Sequence, residues 1–292
     1  MISFENLILI TLLSPLLVCL LTPLLSSKPI LRDILGPLGG IISSWGAIQL
    51  MASILNGEQP RLELLQIAEG ISISFVVTPL GAIFGLVASV LWIFAAIYSV
   101  GYMRGNKEKN QTRFYIFYAM AVHAALCIAY AGDLLTLFIF YEVLTFSTYP
   151  LVTHKQNEMA QKAGRLYMSI LVGTSVILLL PAIIWVWVVT GSLEMSQNGV
   201  LDGKMNPDYA PYLLAMFVFG IGKAALMPIH KWLPAAMVAP TPVSALLHAV
   251  AVVKAGVFTM LLILTNVFGI DFLSKTGASN WLVWLASFTL LT

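Results

Sequence analysis

Residues 79–103 read PLGAIFGLVASVLWIFAAIYSVGYM, a run of 25 residues without one charged side chain. About 20 such residues, at about 1.5 Å each in a helix, cross the hydrocarbon core of a bilayer. The whole chain has the same character, since 59% of its 292 residues are hydrophobic and 10% are charged. A typical soluble domain carries about 25% charged residues. The sequence therefore excludes a soluble enzyme and a disordered chain, and it predicts an all-α polytopic membrane protein.

Other apolar segments extend this pattern along the chain. We expect eight full transmembrane helices, with approximate limits 7–25, 34–55, 79–103, 114–131, 134–153, 166–190, 210–227 and 242–268. A ninth apolar segment begins near Asn280 and reaches Thr292, which is about two-thirds of a span. We expect either a fragment of a longer chain or an end that another subunit covers.

The number of positively charged residues is high in odd-numbered loops and low in even-numbered loops. Ten cations fall in the odd-numbered loops and three in the even-numbered ones; the first set is Lys28, Arg32, Arg104, Lys107, Lys109, Arg113, Lys155, Lys162, Arg165 and Lys231, and the second is Arg61, Lys204 and Lys275. Cytoplasmic loops are rich in Lys and Arg. The alternation therefore predicts an N-terminus outside and odd-numbered loops in the cytoplasm. In the second loop, alternating apolar residues around 67–77 predict a short β-hairpin outside the membrane.

The composition argues against bound cofactors and nucleic acid. The net charge is only +2, and the cations lie in short loops and not in a basic stripe. Cys19 and Cys127 lie far apart in apolar runs, and an iron–sulfur or zinc site needs more ligands than two cysteines. Neither a phosphate-binding glycine loop nor a nucleophile elbow occurs. We expect no cofactor, no metal and no redox chemistry on this chain.

Three ionisable residues interrupt the apolar helices. Glu142 lies near the middle of helix five, and Lys223 and Lys254 lie in helices seven and eight. An ionised side chain at this depth costs at least about 2.5–3.5 kcal/mol, so we expect these residues to face one another or a wet cavity. One interpretation is a structural ion pair that sets the helix register. The other is an ion-conducting site, which we favour because one carboxylate cannot neutralise two lysines.

A carboxylate beside a buried lysine can control the lysine's proton. Burial favours the neutral amine and a neighbouring carboxylate favours the ammonium, which is the minimum that a proton relay needs. Thr145 and Tyr149 follow Glu142 at i+3 and i+7, so the three polar groups share one helical stripe. Asp133, at the start of the same helix, is either a mouth residue or, as we favour, the helix N-cap.

Two of the four histidines are candidates for proton transfer. His230 and His248 lie in the most unusual stretch of the chain, and histidine titrates near neutral pH. His248 precedes Lys254 by six residues, so a water or a helix break would have to connect the two. We expect His123 to be a satisfied core residue and His154 to be a solvated loop residue.

That unusual stretch, residues 220–249, reads GIGKAALMPIHKWLPAAMVAPTPVSALLHA and holds four prolines, namely Pro228, Pro234, Pro240 and Pro242. Proline disrupts a helix, and broken backbone at membrane depth is tolerated only against protein or a water-filled cavity. Residues 228–242 are expected to form a cytoplasmic turn. The flank at Lys223 follows two glycines and is expected to be a helix break, as in transport folds.

Residues 222–256, GKAALMPIHKWLPAAMVAPTPVSALLHAVAVVKAG, closely resemble the central signature of one family of membrane subunits. This family comprises the antiporter-like subunits of respiratory complex I, Mrp-type Na⁺/H⁺ antiporters and membrane-bound hydrogenases. Residues 140–152, FYEVLTFSTYPLV, look like the fifth helix of the same family. The resemblance covers about residues 75–290 and is nearer to the Mrp D-type branch than to complex I.

The resemblance implies a proton relay of four residues, namely Glu142, Lys223, His248 and Lys254. Glu142 and Lys223 are expected to form its switching pair, and Lys254 its central relay lysine. Secondary positions implied by the same motifs are Thr145, Tyr149, Pro228 and His230.

The chain also departs from the family pattern. Members usually have about fourteen helices in two inverted five-helix repeats, whereas this chain holds one repeat and stops before the ionisable residue of helix twelve. We expect helices one to three in 1–112, the repeat of helices four to eight, with a broken helix seven, in 113–270, and the start of a ninth helix in 271–292. Residues 77–79, Val-Thr-Pro, stand where many members carry an acidic residue.

The sequence thus predicts a proton-translocating subunit of a cation/proton antiporter complex, integral to a bacterial plasma membrane. The expected partners are other membrane subunits, lipid and protons, with Na⁺ left open and nucleic acid excluded. Two alternatives stay open. One is a proton-pumping subunit of an NADH:quinone oxidoreductase or a membrane-bound hydrogenase, and the other is a truncated, non-conducting scaffold.

Overall fold

The computed structural model describes residues 3–291 as a helical bundle with one β-hairpin. The elements are α1 (Phe4–Leu21), α2 (Pro29–Leu55), β1 (Arg61–Ala68), β2 (Ile71–Val76), α3 (Pro79–Gly105), α4 (Gln111–Ala129), α5 (Leu134–Val152), α6 (Glu158–Thr190), α7 (Ala210–Gly220), α8 (Thr241–Phe268), α9 (Ile270–Thr276) and α10 (Asn280–Leu291). Within the described residues, α1–α6 and α8 are the seven helices long and apolar enough to cross a membrane. The prediction of an all-α polytopic membrane protein is confirmed.

Helix seven differs from the full span expected over 210–227. The helix α7 ends at Gly220 after 11 residues, which is about 16 Å and so about half of a hydrocarbon core. Residues 221–240, called the break segment below, contain 3₁₀ turns and the one-turn helix Trp232–Ala235. Ala225 has a φ of 55°, a left-handed conformation that cannot continue a right-handed helix. The described chain therefore has a half-helix where the seventh of the eight expected full spans was placed, followed by the break that was expected at Lys223.

Two long helices contain local π turns. In α6 the π turn Ser175–Leu179 ends two residues before Pro181, which lacks a backbone donor. In α8 the π turns Leu246–Val250 and Ile263–Phe268 flank the regular helix Val252–Leu262. The π turn of α8 that contains His248 follows the break segment after one short α-helical stretch, Thr241–Ala245.

The predicted hairpin is confirmed, and it begins earlier than expected, at Arg61. Strands β1 and β2 pair antiparallel, with Leu62 opposite Phe75. The hairpin packs on neighbouring loops through backbone hydrogen bonds, from Gly132 N to Ser74 O at 2.9 Å and from Leu193 N to Gly70 O at 2.9 Å. It therefore joins the α2–α3, α4–α5 and α6–α7 connections at one end of the bundle.

The α1–α2, α3–α4 and α5–α6 connections lie at the opposite end of the bundle. Arg32, in the first turn of α2, donates to Gln111 at the start of α4. His154, after α5, lies 3.9 Å from Glu108 in the α3–α4 connection. The cation-rich connections thus meet at one end, as a strict alternation of spans requires. The central helix is α4, two-thirds of whose apolar window is buried. The division at residues 112 and 270 stays a prediction.

Candidate functional site

Lys223 is completely buried in the break segment. Its Nζ donates to the Tyr141 carbonyl oxygen at 2.8 Å and to Thr145 Oγ1 at 2.6 Å. The same Nζ lies 3.1 Å from the centroid of the Tyr141 ring, a position that attracts a cation. The Lys223 backbone N–H donates to Tyr141 Oη at 3.1 Å. One turn of α5 therefore holds both the main chain and the side chain of Lys223.

The break segment reaches α5 because it packs closely on its neighbours. Trp232 Nε1 donates to the Gly222 carbonyl oxygen at 2.9 Å and so closes the segment on itself. The Trp232 ring lies edge-to-face with Tyr167 of α6, with centroids 5.5 Å apart. A Cβ at Gly256 of α8 would collide with the backbone of Lys223 and Ala224. Glycine at position 256 therefore allows α8 to pack directly against the backbone of Lys223, on which α5 also packs.

Glu142 is a neighbour of Lys223 that is not paired with it. Both carboxylate oxygens of Glu142 are buried and lack a hydrogen-bond partner in the part of the chain that the structure describes. The carboxylate is close enough to act electrostatically on Lys223, Tyr141 and Tyr167. The structure thus brings the expected switching pair together as separated neighbours and not as an ion pair.

The predicted stripe on α5 divides into two environments. Thr145 is buried and accepts the hydrogen bond from Lys223. Tyr149 lines an open polar cavity of about 330 Å³ at the end of α5, together with Thr153, Gln156, Gln161 and Arg165. Thr145 therefore belongs to the lysine site, whereas Tyr149 does not touch it.

The remaining predicted relay residues form no hydrogen bond with Lys223. Nδ1 of His230 and Nε2 of His248 are buried and have no partner among the described residues. Lys254 is exposed at the surface of the described chain and forms no hydrogen bond or ion pair with it. Pro228 lies in the break segment and follows a cis peptide bond. Neither histidine nor Lys254 hydrogen-bonds to Lys223.

Sequence reasoning missed three residues of this region. Tyr141 supplies the carbonyl, the ring and the hydroxyl that hold Lys223. One turn beyond Thr145, Thr148 Oγ1 and Tyr167 Oη are hydrogen-bonded at 2.5 Å, and both residues are fully buried. A sequence signal existed for Thr148, because it lies at i+3 from Thr145; Tyr167 lies on another helix and carried none.

Two arginines assigned to loops lie instead in helices and share a carboxylate. Arg32 of α2 is 7% exposed and donates from Nε to Asp33 Oδ1 at 2.8 Å. Arg104 of α3 donates from Nε to Asp33 Oδ2 at 2.6 Å. The loop assignment was therefore wrong for both, because the helices extend beyond their apolar segments. For the same reason it was wrong for Arg113 of α4, Lys162 and Arg165 of α6 and Lys275 of α9.

Two predictions about other polar residues are confirmed. His123 is buried, with Nδ1 2.8 Å from the Leu12 carbonyl oxygen, and is a satisfied core residue. Asp133 is the N-cap of α5, since its Oδ1 accepts from Thr136 N at 2.7 Å. Its Oδ2 also accepts from the N–H and the hydroxyl of Ser74, which fastens the hairpin to α5.

The expectation that His154 is solvated was wrong. His154 is 4% exposed because the α3–α4 connection covers it, and Phe114 lies edge-on to its ring. Burial lowers the pKa of His154, and the charges of Arg113 and Lys155 lower it further, while Glu108 and a backbone hydrogen bond to Lys109 oppose the shift.

Metal ligands do not gather anywhere in residues 3–291: no three His, Cys, Asp or Glu side chains form a group that could hold an ion. What the arrangement offers is a buried amine, a nearby buried carboxylate and a set of hydroxyls at a broken helix. Such intramembrane groups are typical of proteins that move ions across membranes.

Comparison with known proteins shows the family. A family profile described as NADH:quinone oxidoreductase/Mrp antiporter, TM, matches residues 131–292. A second, described as NADH-Ubiquinone oxidoreductase (complex I), chain 5 N-terminus, matches residues 65–115. The first match covers more than half of the chain, so the chain belongs to this family of membrane subunits, as the resemblance of residues 140–152 and 222–256 predicted.

Individual relatives share the antiporter name. A Staphylococcus haemolyticus protein named as antiporter subunit mnhA2 is 25% identical over 84% of this chain and 31% of its own length. Its Staphylococcus aureus namesake is 29% identical over 72% of this chain and 25% of its own length. The chain thus spans at most about a third of these curated relatives. These relatives are named mnhA2 and not as D-type subunits. The expectation that this chain is nearer to the Mrp D-type branch than to complex I therefore stays a prediction.

Two solved structures have the same fold. A subunit of the archaeal membrane-bound sulfane sulfur reductase, a respiratory membrane complex, has a TM-score of 0.76 at 22% identity, over 87% of this chain and 52% of that one. A subunit of the Mrp complex from Dietzia sp. DQ12-45-1b has a TM-score of 0.75 at 23% identity, over 87% of this chain and 28% of that one. At this identity the likeness shows the fold alone.

Proposed function

We propose that this chain acts in a cation/proton antiporter complex of the Mrp type, as the proton-translocating part of a membrane subunit. The observation that carries the proposal is Lys223, a lysine that is fully buried at a helix break and held by two oxygens of α5. Charge at this depth is costly. The cost is explained if the amine gains and loses a proton during transport.

Glu142 is the second member of the switching pair in this proposal. Its carboxylate lies near Lys223, and neither of its oxygens has a hydrogen-bond partner within the described residues. Approach of the carboxylate would favour a protonated lysine, and withdrawal would favour release of the proton. His248 and Lys254 then carry the proton onward. The exposed position of Lys254 on α8 fits this role if another part of the complex covers it.

The orientation belongs to the same proposal. The cation-rich connections meet at one end of the bundle, which favours a cytoplasmic location for that end and an external N-terminus. A bacterial plasma membrane and other membrane subunits as partners are proposed from the named relatives and the two solved complexes.

Proton uptake tests the proposal directly. Glu142→Gln and Lys223→Met keep the side-chain size, and in everted membrane vesicles of the complete complex each should abolish pH-gradient formation while the complex still assembles. The matched control is Glu194→Gln, which removes a half-exposed carboxylate paired with Arg61. Unchanged gradients in both site variants would contradict the proposal and favour the scaffold alternative.

The family description favours a second candidate, a proton-pumping subunit of an NADH:quinone oxidoreductase. The site would be the same, and electron transfer would supply the energy. Vesicles that build the gradient with NADH, and not with a cation gradient, would favour this candidate.

A further inference from the structure

A row of buried hydroxyls continues beyond the lysine site along α5. Thr145 Oγ1, which accepts from Lys223, is followed one turn later by Thr148 Oγ1, at a rise of about 4.5 Å. Thr148 Oγ1 is hydrogen-bonded to Tyr167 Oη of α6 at 2.5 Å. Thr148 and Tyr167 are both fully buried. The row therefore leads from Lys223 to the interface between α5 and α6.

The other end of the row lies beside an open polar cavity. Tyr149, Thr153, Gln156, Gln161 and Arg165 line about 330 Å³ of space between the ends of α5 and α6. Gly164 of α6 makes this approach possible, since a Cβ there would collide with the Thr153 side chain and crowd the Tyr149 ring. Tyr167 follows Gly164 by about one turn of α6, and its hydroxyl meets Thr148 on the side of α6 that faces α5.

The hydroxyl pair can reverse its direction of donation. Each hydroxyl has one proton to donate and two lone pairs to accept. Thr148 Oγ1 has a carbonyl acceptor at Leu144 O, 2.7 Å away, when Tyr167 donates to it. When Thr148 donates to Tyr167 instead, the Tyr167 proton is free to be donated to another acceptor, such as a water molecule. A proton can pass along a row of hydroxyl oxygens only if each hydroxyl can both accept and donate, as these two can.

We propose that Thr148 and Tyr167 form a proton-relay step between the α5–α6 cavity and Lys223. The inference rests on the proposed function and adds the side from which the lysine exchanges protons. A proton from cavity water binds to Tyr167 Oη as the Tyr167 proton passes to Thr148 Oγ1, and the Thr148 proton passes through a bridging water to the Lys223 amine. Each oxygen gains one proton and loses one, and the hydroxyls then rotate back.

Removing the hydroxyls while keeping the packing tests the relay. Tyr167→Phe retains the ring that contacts Trp232, and Thr148→Val retains the shape of Thr148. In everted vesicles of the complete complex, each should slow pH-gradient formation by at least about tenfold. Thr148→Ser, which restores a hydroxyl, should stay within about twofold of the parent. The control is Tyr130→Phe, because the buried Tyr130 hydroxyl has no hydrogen-bond partner among the described residues.

The solvent isotope effect separates proton transfer from packing. If the relay is broken, proton delivery limits the rate, and the slowing in D₂O should exceed that of the parent; a packing defect leaves the isotope effect unchanged. Parent rates in Tyr167→Phe, with Glu142→Gln inactive, would overturn the relay and leave the proposed function standing. Parent rates in Glu142→Gln as well would overturn the function itself. If the complex does not assemble with Thr148→Val, the rate of pH-gradient formation in Tyr167→Phe alone tests the relay.

Discussion

Lys223 donates a hydrogen bond of 2.6 Å to the hydroxyl of Thr145, although the two residues lie 78 positions apart in the chain. The bond joins the break segment to the middle of α5, where Glu142 lies one turn away. The amine is thus positioned by neutral oxygens, and the one nearby carboxylate is left unbonded to it. Positioning and charge control are therefore separate in this site, and they can be tested separately.

Thr145→Val should weaken the site without removing a charge. The variant loses the acceptor of the Lys223 Nζ, and a hydrogen bond to a charged group contributes about 1.5–3 kcal/mol. We expect pH-gradient formation in vesicles to fall about tenfold or more, since about 1.4 kcal/mol corresponds to a factor of ten. Thr145→Ser should keep most of the rate. Equal rates in the valine and serine variants would show that the hydroxyl is not needed.

Gly256→Ala should displace the break segment. The added Cβ collides with the backbone of Lys223 and Ala224, which cannot move as a side chain can. Overpacking of this kind costs about 1–3 kcal/mol, so the melting temperature of the purified complex in detergent should fall. Gly101→Ala is the control, because nothing lies within 4 Å of the added Cβ there. A melting temperature that is the same for both variants would contradict the close packing of α8.

Asp133→Ala should separate the hairpin from α5. The change removes the N-cap acceptor of Thr136 N and the acceptor of the Ser74 N–H and hydroxyl. A lost cap costs about 0.5–2 kcal/mol and unsatisfied buried donors cost about 1–3 kcal/mol. We expect a loss of about 2–4 kcal/mol in the free energy of unfolding, measured by denaturant titration in detergent. Glu194→Gln, at the exposed ion pair with Arg61, should change it by less than about 1 kcal/mol.

His154 should make the α3–α4 connection sensitive to pH. Burial holds the His154 pKa below its ordinary value, so the open form of the connection binds more protons than the packed form. Packing is therefore strongest above about pH 6.5 and weakens as the pH falls through that value toward the lowered pKa. Protection of amides 106–110 from hydrogen exchange, corrected for intrinsic rates, should decrease from pH 7.5 to pH 5.5.

In His154→Gln this pH dependence should disappear, because glutamine does not titrate. The charged groups that act on the ring are Glu108, Arg113 and Lys155, and the variant keeps all three. Retention of the full pH dependence in the variant would assign it to another group.

Much of the fold could be predicted from the sequence because the signals are local. Runs such as 79–103 are long enough to cross a bilayer, and the hairpin around 67–77 has alternating residues. Asp133 precedes a helix with the geometry of a cap. A break in helix seven near Lys223 was expected, and only the end of the helix differs: α7 ends at Gly220 and not near residue 227, because apolar composition does not show where a helix ends.

The candidate site divides in the same way. The sequence by itself predicted that Glu142, Lys223 and Lys254 face one another or a wet cavity, because intramembrane charge is too costly to face lipid; for Lys254, which is exposed in the described chain, this was wrong. Only the tertiary structure decided that Tyr141 and Thr145 hold the lysine, that Thr148 meets Tyr167, and that Lys254 is exposed on α8. It also buried His154 and the Arg32–Asp33 pair. These contacts join side chains from different helices, and their positions depend on how the helices pack and rotate, which a local pattern does not specify.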